Sequence, residues 1–382
     1  MAKLIGDLRP VYVVGVGWHK YQYPTDTPYV AMGLKAVRDA LADGGLEWSA
    51  VESSYIAHMR LGGAIGRAML RHLGALGKPL VHVENASASG STAFRHACIE
   101  VASGISDVAL ALGIDKVPEG GGARPARGGG LRGLADDAIV PFTSFALLTN
   151  RYAAQFGLRP EDIALVAVKN SANGALNPNA QRQQARTLEE VLGGRPISGT
   201  LTPLQCTPVG EGAAAAIVAS EEGIKRLGLD MGRAVRVLSS TAGTETAEDP
   251  LNRDTVLSRE VMQRSMREAG VTSKDLDVLE VHDAFTIEEL LYAEATGICP
   301  EGQFIPMLKE GAFDIGGQCA ISPSGGLLSC GHPIGPTGVG QIGEIVTQIR
   351  GEAGARQHKG ARTGLAHMVG VGAVCYVHVL QK

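Results

Sequence analysis

Short β-branched runs alternate with stretches of helical spacing along the chain. Val11–Val16 reads as a buried strand. Pro28–Asp43 then places apolar residues at helical intervals and stops at Gly44-Gly45, a good C-terminal signal. Pro79–Asn85 is a second strand, followed by small residues, a helical stretch over Thr92–Ala102, and a third strand at Asp107–Gly113. This alternation predicts βαβ units, with a mostly parallel sheet and helices on its faces. Residues 117–135 break the pattern with a glycine- and arginine-rich stretch, opening a loop-rich insertion that lasts to about Pro208. Helical segments are expected in it near Ser144–Phe156 and Thr187–Leu192. The apolar Ala213–Ala219 strand returns the chain to the core.

From Ala234 the order begins again. Val235–Ser240 reads as a strand, Arg259–Ala269 as a helix, Val278–Val281 as a strand and Ile287–Thr296 as a helix. A glycine-rich turn at Gly325–Gly340 opens a helix to Arg350, and two antiparallel strands close the chain. Two halves of similar element order suggest internal duplication. The expected division is 1–225, with a loop domain over about 117–208, and 226–382.

Composition narrows the function. The 382 residues are 45% hydrophobic and 19% charged, which suits a large buried core. Aromatics at 4%, a net charge of −4 and the lack of a Lys/Arg run argue against nucleic-acid binding. The six cysteines (Cys98, Cys206, Cys299, Cys319, Cys330, Cys375) include no CxxC pair, so thiols are expected rather than a zinc site or disulfides. No apolar stretch reaches the roughly 18 residues of a membrane span, and no leader pattern opens the chain. A soluble, cytoplasmic protein is expected.

Four segments carry candidate chemistry. Val83-Glu84-Asn85-Ala86-Ser87-Ala88-Ser89-Gly90-Ser91 runs from a strand end through a tight turn into a helix. Such an elbow holds a side chain at a helix N-terminus, where negative charge is favoured; it is also readable as a plain capped turn. Val281-His282-Asp283-Ala284-Phe285 puts an imidazole at the carboxyl end of a strand, where open α/β sheets place their sites. In Cys330-Gly331-His332-Pro333-Ile334-Gly335-Pro336-Thr337-Gly338, small and rigid residues fix the backbone around His332. His367-Met368-Val369-Gly370-Val371-Gly372 turns between the last two strands.

Together these segments, with Glu211-Gly212-Ala213-Ala214-Ala215, resemble the thiolase superfamily over essentially the whole chain, most closely its sterol-carrier/lipid-transfer branch. The resemblance implies a thiolase fold of five layers, αβαβα, with two duplicated βαβαβ-type halves and an inserted loop domain, in a homodimer. It implies catalysis on coenzyme A thioesters, with no metal in this chain. An acyl-enzyme would form at position 87, with His332 as general base, and the substrate would be a 3-oxoacyl-CoA in cleavage or its precursors in the reverse Claisen condensation. His282 and His332 match groups that hold the thioester oxygen, and the backbone at Ser87 and Gly370 would form a second oxyanion site.

Two departures from the family pattern matter. The elbow residue is Ser87 rather than cysteine, and a hydroxyl ionises far less readily than a thiol. A second acid/base cysteine, carried in the branch inside His-Asp-Cys-Phe, is Ala284 here, and His367 stands where other thiolases carry it. Cys330 is the nearest remaining thiol and a candidate substitute. Ser87 is thus readable as an engineered replacement of the nucleophile in an otherwise intact thiolase. It is also readable as the mark of a retro-aldolase cleaving a 3-hydroxyacyl-CoA, or of a non-catalytic acyl-CoA-binding subunit. Arg124, Arg127 and Arg132 on the glycine-rich loop are candidate partners for CoA phosphates. A small OB-fold/zinc-ribbon subunit of the DUF35 type is a further partner that the resemblance implies.

Overall fold

The computed structural model describes residues 4–75, 77–118, 142–246, 253–371 and 374–382. Within them the β-branched and alanine-rich runs pair into one ten-stranded sheet. Its strands are β1 (Val11–Gln22), β2 (Ser53–Ala57), β3 (Leu80–Val83), β4 (Val108–Asp115), β5 (Glu211–Ser220), β6 (Val235–Thr244), β7 (Val278–Glu280), β8 (Ala320–Ile321), β9 (Thr363–Gly370) and β10 (Val374–Gln381). The helices are α1 (Tyr29–Gly44), α2 (Ile65–Leu70), α3 (Ser89–Ala102), α4 (Phe142–Phe156), α5 (Pro160–Ala175), α6 (Leu188–Leu192), α7 (Glu221–Leu227), α8 (Arg253–Ala269), α9 (Thr286–Thr296), α10 (Phe304–Lys309), α11 (Gly326–Ser329) and α12 (Ile334–Arg350).

The strand order is β3-β2-β4-β5-β1-β6-β10-β9-β7-β8. Read inward from its far edge, the second half runs β8-β7-β9-β10-β6, which repeats β3-β2-β4-β5-β1 with each number raised by five. Within the sheet the halves are joined where Tyr12 and Val13 of β1 pair with Arg236 and Val235 of β6.

Alternation of side chains along the strands builds the layers. Leu110 and Leu112 of β4 and Ala213, Ala215 and Ile217 of β5 pack outward against Val37 and Leu41 of α1. Their neighbours Ala109, Ala111, Ala214, Ala216 and Val218 face Phe94 of α3 and Ile342 of α12. On the other side, Leu365 of β9 and Val377 of β10 pack against Val261 of α8 and Leu290 of α9. The two five-stranded halves of this continuous sheet thus enclose α3 and α12, with helices outside each, giving the five expected layers. The insertion departs from β4 and packs its α4 and α5 against α9 of the second half. Arg124, Arg127 and Arg132 lie outside the described residues.

The expectation of a mostly parallel sheet is not met. β2 runs parallel to β3 and β4, and β7 to β8 and β9, while every other pairing is antiparallel. In the first half the departure comes from β5, which is buried on both faces along its whole length. A strand covered on both sides reads as a continuous apolar run, the pattern usual for parallel strands, and carries no mark of its direction. The chain also reaches β5 through the insertion rather than through a single crossover helix. Helix α5 lies inside the stretch expected to be loop-rich; four of the last seven residues before Ala175, Asn170, Ser171, Asn173 and Gly174, are weak helix formers that mask it. Among the described residues no helix is long and apolar enough to cross a membrane.

The two central helices approach through glycine. A methyl group on Gly90 of α3 would lie 2.6 Å from Gly335 O and 2.9 Å from Val339 N of α12. Both are backbone atoms with no side-chain freedom to yield. Gly90→Ala is therefore expected to destabilise the protein by about 1–3 kcal/mol, seen as a lower urea midpoint. An unchanged midpoint would mean that the helices slide apart without cost.

Candidate active site

The elbow before α3 is held by its own polar side chains. Ser89 Oγ accepts from Asn85 N at 2.9 Å and donates to Ala86 O at 2.6 Å. This turn forces Ala86 to φ 48°, a left-handed conformation that L-residues disfavour. The result presents Ser87 just ahead of the first turn of α3. Gly370 packs against the same elbow, where a side chain would collide with Asn85 O.

The partner of Ser87 comes from the other half of the molecule. Ser87 Oγ lies 2.9 Å from His332 Nε2, across 245 residues of chain. The far nitrogen, His332 Nδ1, is 2.9 Å from Thr337 Oγ1, whose proton is committed to Pro333 O at 2.6 Å. Thr337 must therefore accept, so His332 carries its proton on Nδ1 and leaves Nε2 to accept from Ser87. Burial pushes the His332 imidazole well below its ordinary range, and the nearby His282 and Arg60 push the same way. His332 is thus a neutral base backed by a neutral hydroxyl.

The carboxylate of the site stands behind the second imidazole. His282 Nδ1 is 3.0 Å from Glu288 Oε1. The same carboxylate accepts from Tyr292 Oη at 3.2 Å and from Phe285 N at 3.0 Å. His282 Nε2 has no partner among the described residues. The two imidazoles meet edge to face, with ring centres 5.3 Å apart.

Ser87, His282, His332, Ala284 and Gly370 all line one cavity of about 210 Å³. Phe142 and Phe145 from the insertion wall it by packing on Phe285, with ring centres 5.3 and 4.3 Å away. The structure brings together four of the residues singled out by sequence, Ser87, His282, His332 and Gly370. Cys330 is not with them. It lines a separate, water-sized cavity of about 20 Å³ with Trp18, Tyr21 and Glu280. There burial and the charges of Glu280 and Glu344 push its thiol up, away from the thiolate form. Gly331, at φ 105°, stands between Cys330 and His332, which line the two different cavities. Among the described residues no cysteine lines the cavity around Ser87. His367 is buried between Ser258 Oγ at 2.9 Å and the backbone N–H of His282 at 3.4 Å.

Three contributors were missed in the sequence. Thr337 sits in the Gly-His-Pro segment, five residues after His332, where its role could have been sought. Glu288 is the third residue of α9, the position from which a carboxylate reaches back to the start of a helix. Arg60 enters the cavity from the loop after β2, which Asp115 holds by accepting from Met59 N and Arg60 N at 3.1 and 2.8 Å. No pattern in the sequence marks it.

Comparison with known proteins follows this geometry. Residues 20–188 match the family model described as thiolase, N-terminal domain, and residues 240–382 match the thiolase C-terminal domain-like model. Sterol carrier protein 2 of Oryctolagus cuniculus is 35% identical over 98% of this chain and 72% of its own length. The benzoylsuccinyl-CoA thiolase subunit BbsB of Thauera aromatica is 33% identical over 95% of both chains. Among solved structures, the Ltp2-ChsH2(DUF35) aldolase superimposes with a TM-score of 0.79 at 22% identity, covering 98% of each chain. Human mitochondrial 3-ketoacyl-CoA thiolase in complex with CoA does so with 0.73 at 18% identity, again over 98% of each.

Because His332 is held as the free base, activity that uses it is expected to stay level from pH 7.5 down to about 6.5, the ordinary histidine pKa, and to fall only in more acid solution. Thr337→Val removes the acceptor that fixes its tautomer and should lower kcat about 10–100-fold, with little change in KM. A pH midpoint above 6.5, or a Thr337→Val enzyme of full rate, would contradict this account of the imidazole.

Proposed function

This chain belongs to the thiolase superfamily, in its sterol-carrier branch, and from that premise we propose that it makes or breaks a carbon–carbon bond beside the thioester of an acyl-CoA without a cysteinyl acyl-enzyme. Its reaction on this reading is aldol cleavage of a 3-hydroxyacyl-CoA. The observation that carries the reading is the absence of any thiol from a cavity that keeps both histidines. A thiolase needs a nucleophile that ionises near neutral pH and a second acid/base at the α-carbon. The positions expected for them hold a hydroxyl at Ser87 and a methyl group at Ala284.

Aldol cleavage requires neither. It needs a base for the 3-hydroxyl and donors for the enolate oxygen. His282 Nε2 is unpartnered, and Glu288 behind it offsets positive charge on the ring, the arrangement that stabilises an imidazolium. On this scheme His282 takes the 3-hydroxyl proton and the C2–C3 bond breaks. The C3 fragment leaves as an aldehyde or ketone. The electron pair moves to the thioester oxygen, which the backbone N–H groups at Ser87 and Gly370 hold. His282 then returns its proton to C2, so the shortened acyl-CoA and the carbonyl product balance the substrate. Ser87 and His332 orient the thioester.

A second reading rests on the 2.9 Å hydrogen bond between Ser87 and His332, which is the geometry of a nucleophile and its base. There Ser87 would take the acyl group at C3 of a 3-oxoacyl-CoA as the C2–C3 bond breaks. The hydroxyl proton would pass by way of His332 to C2, so that the remaining fragment leaves as an acyl-CoA. A second CoA would then carry the acyl group off as a thioester. In either reading the protein works as a homodimer, with coenzyme A thioesters as its ligands. A small OB-fold/zinc-ribbon subunit is part of the proposal, supported by the DUF35 component named in the structurally similar aldolase.

Wild type, Ser87→Ala, Ser87→Cys and His282→Ala should each be assayed with that subunit present. One assay uses 3-hydroxyacyl-CoAs, and the other uses 3-oxoacyl-CoAs plus CoA. Aldol cleavage is expected in wild type, within about tenfold in Ser87→Ala, and reduced at least about 100-fold in His282→Ala. Thiolysis is expected from Ser87→Cys alone. Wild-type thiolysis that Ser87→Ala abolishes would establish the second reading instead. Silence toward both substrate classes would leave an acyl-CoA-binding subunit.

A further inference from the structure

The cavity beside Ser87 is walled largely by phenylalanine and aliphatic side chains, yet one arginine reaches into it. Arg60 Nη1 is buried and has no hydrogen-bond partner among the described residues. Leaving a guanidinium N–H buried without an acceptor is costly, and such a group calls for an anion. The arginine is not needed to hold its own loop, because Asp115 secures that loop through the backbone N–H groups of Met59 and Arg60. Nor do the carboxylates at hand satisfy it. Glu288 is taken by His282, Tyr292 and Phe285, and Asp254, which also lines the cavity, leaves Arg60 Nη1 unpaired.

Resting on the reading that acyl-CoA thioesters react here, we propose that the acyl group carries a free carboxylate bound by Arg60. The substrate is then the CoA monothioester of a dicarboxylic acid. The thioester carbonyl lies at Ser87, His282 and His332, and the second carboxylate lies at the Arg60 side of the same cavity. A guanidinium matches a carboxylate with paired N–H donors, and a low-dielectric surround of Phe142, Phe145, Phe285 and Val369 strengthens that pairing. A neutral acyl chain of equal length would leave Arg60 Nη1 unpaired on binding, so the site discriminates against it. The other anion available from the same ligand is a phosphate of CoA itself.

Calorimetric titration of the full chain with CoA, butyryl-CoA, pentanoyl-CoA, succinyl-CoA and glutaryl-CoA tests the assignment without needing turnover. At least one of the two carboxylated thioesters is expected to bind about tenfold or more tighter than its neutral counterpart. Arg60→Gln should abolish that preference while leaving affinity for CoA unchanged, and Arg60→Lys should keep part of it. Melting temperatures of both variants, expected to equal that of wild type, separate lost binding from lost folding. Equal binding of neutral and carboxylated thioesters by wild type overturns the proposal, as does a preference that survives Arg60→Gln. If Arg60→Gln weakens CoA and all four thioesters alike, the anion is a CoA phosphate. Failure to bind any thioester would sink the acyl-CoA reading itself, and with it this assignment.

Discussion

The close approach of α3 and α12 is the constraint on which the site depends. Ser87 precedes one helix and His332 the other, and each helix belongs to a different half of the repeated strand order. Their 2.9 Å hydrogen bond depends on Gly90 of α3 and Gly338 of α12, which let backbone meet backbone near the start of each helix. Ordinary side chains at those positions would separate the axes by more than a hydrogen bond can span. Asp115 at the end of β4 adds a tie by accepting from Gly335 N at 2.6 Å as well as from the loop that carries Arg60. One buried carboxylate thereby ties two approaches to the cavity, the start of α12 and the loop after β2.

Charge is distributed unevenly between the two imidazoles. His332 leans on a hydroxyl and is kept neutral by burial, whereas His282 leans on the carboxylate of Glu288. The two rings thus differ in what stands behind them, a carboxylate for one and the Thr337 hydroxyl for the other. On the proposed aldol reading, that difference assigns the proton transfer to His282 and leaves Ser87 as a hydrogen-bonding hydroxyl.

Much of this was legible from residue types. The elbow, the His-Asp-Ala-Phe segment and the Gly-His-Pro segment announce themselves because each is a local backbone device, and glycine and proline mark such devices in any sequence. Ser87, His282, His332 and Gly370 accordingly meet in one cavity. Cys330 lies two residues from His332 yet lines another cavity, because nearness along the chain is not nearness in space. Thr337, Glu288 and Arg60 were not seen, since their roles depend on which atoms face which after folding. The antiparallel course of β5 was hidden for a similar reason: a strand buried on both faces looks the same in either direction.

The separation of 245 residues between Ser87 and His332 has a consequence for the order of events during synthesis. The strands β1 to β5 can pair among themselves, but the base arrives on α12, and α12 is enclosed by β9 and β10 at the end of the chain. Contacts so distant in sequence form late, after the loop entropy of the whole intervening chain has been overcome. A ribosome-bound chain lacking its last segment therefore has the elbow and no imidazole beside it. Whatever chemistry needs Ser87 and His332 together thus switches on with the final packing step rather than growing with length.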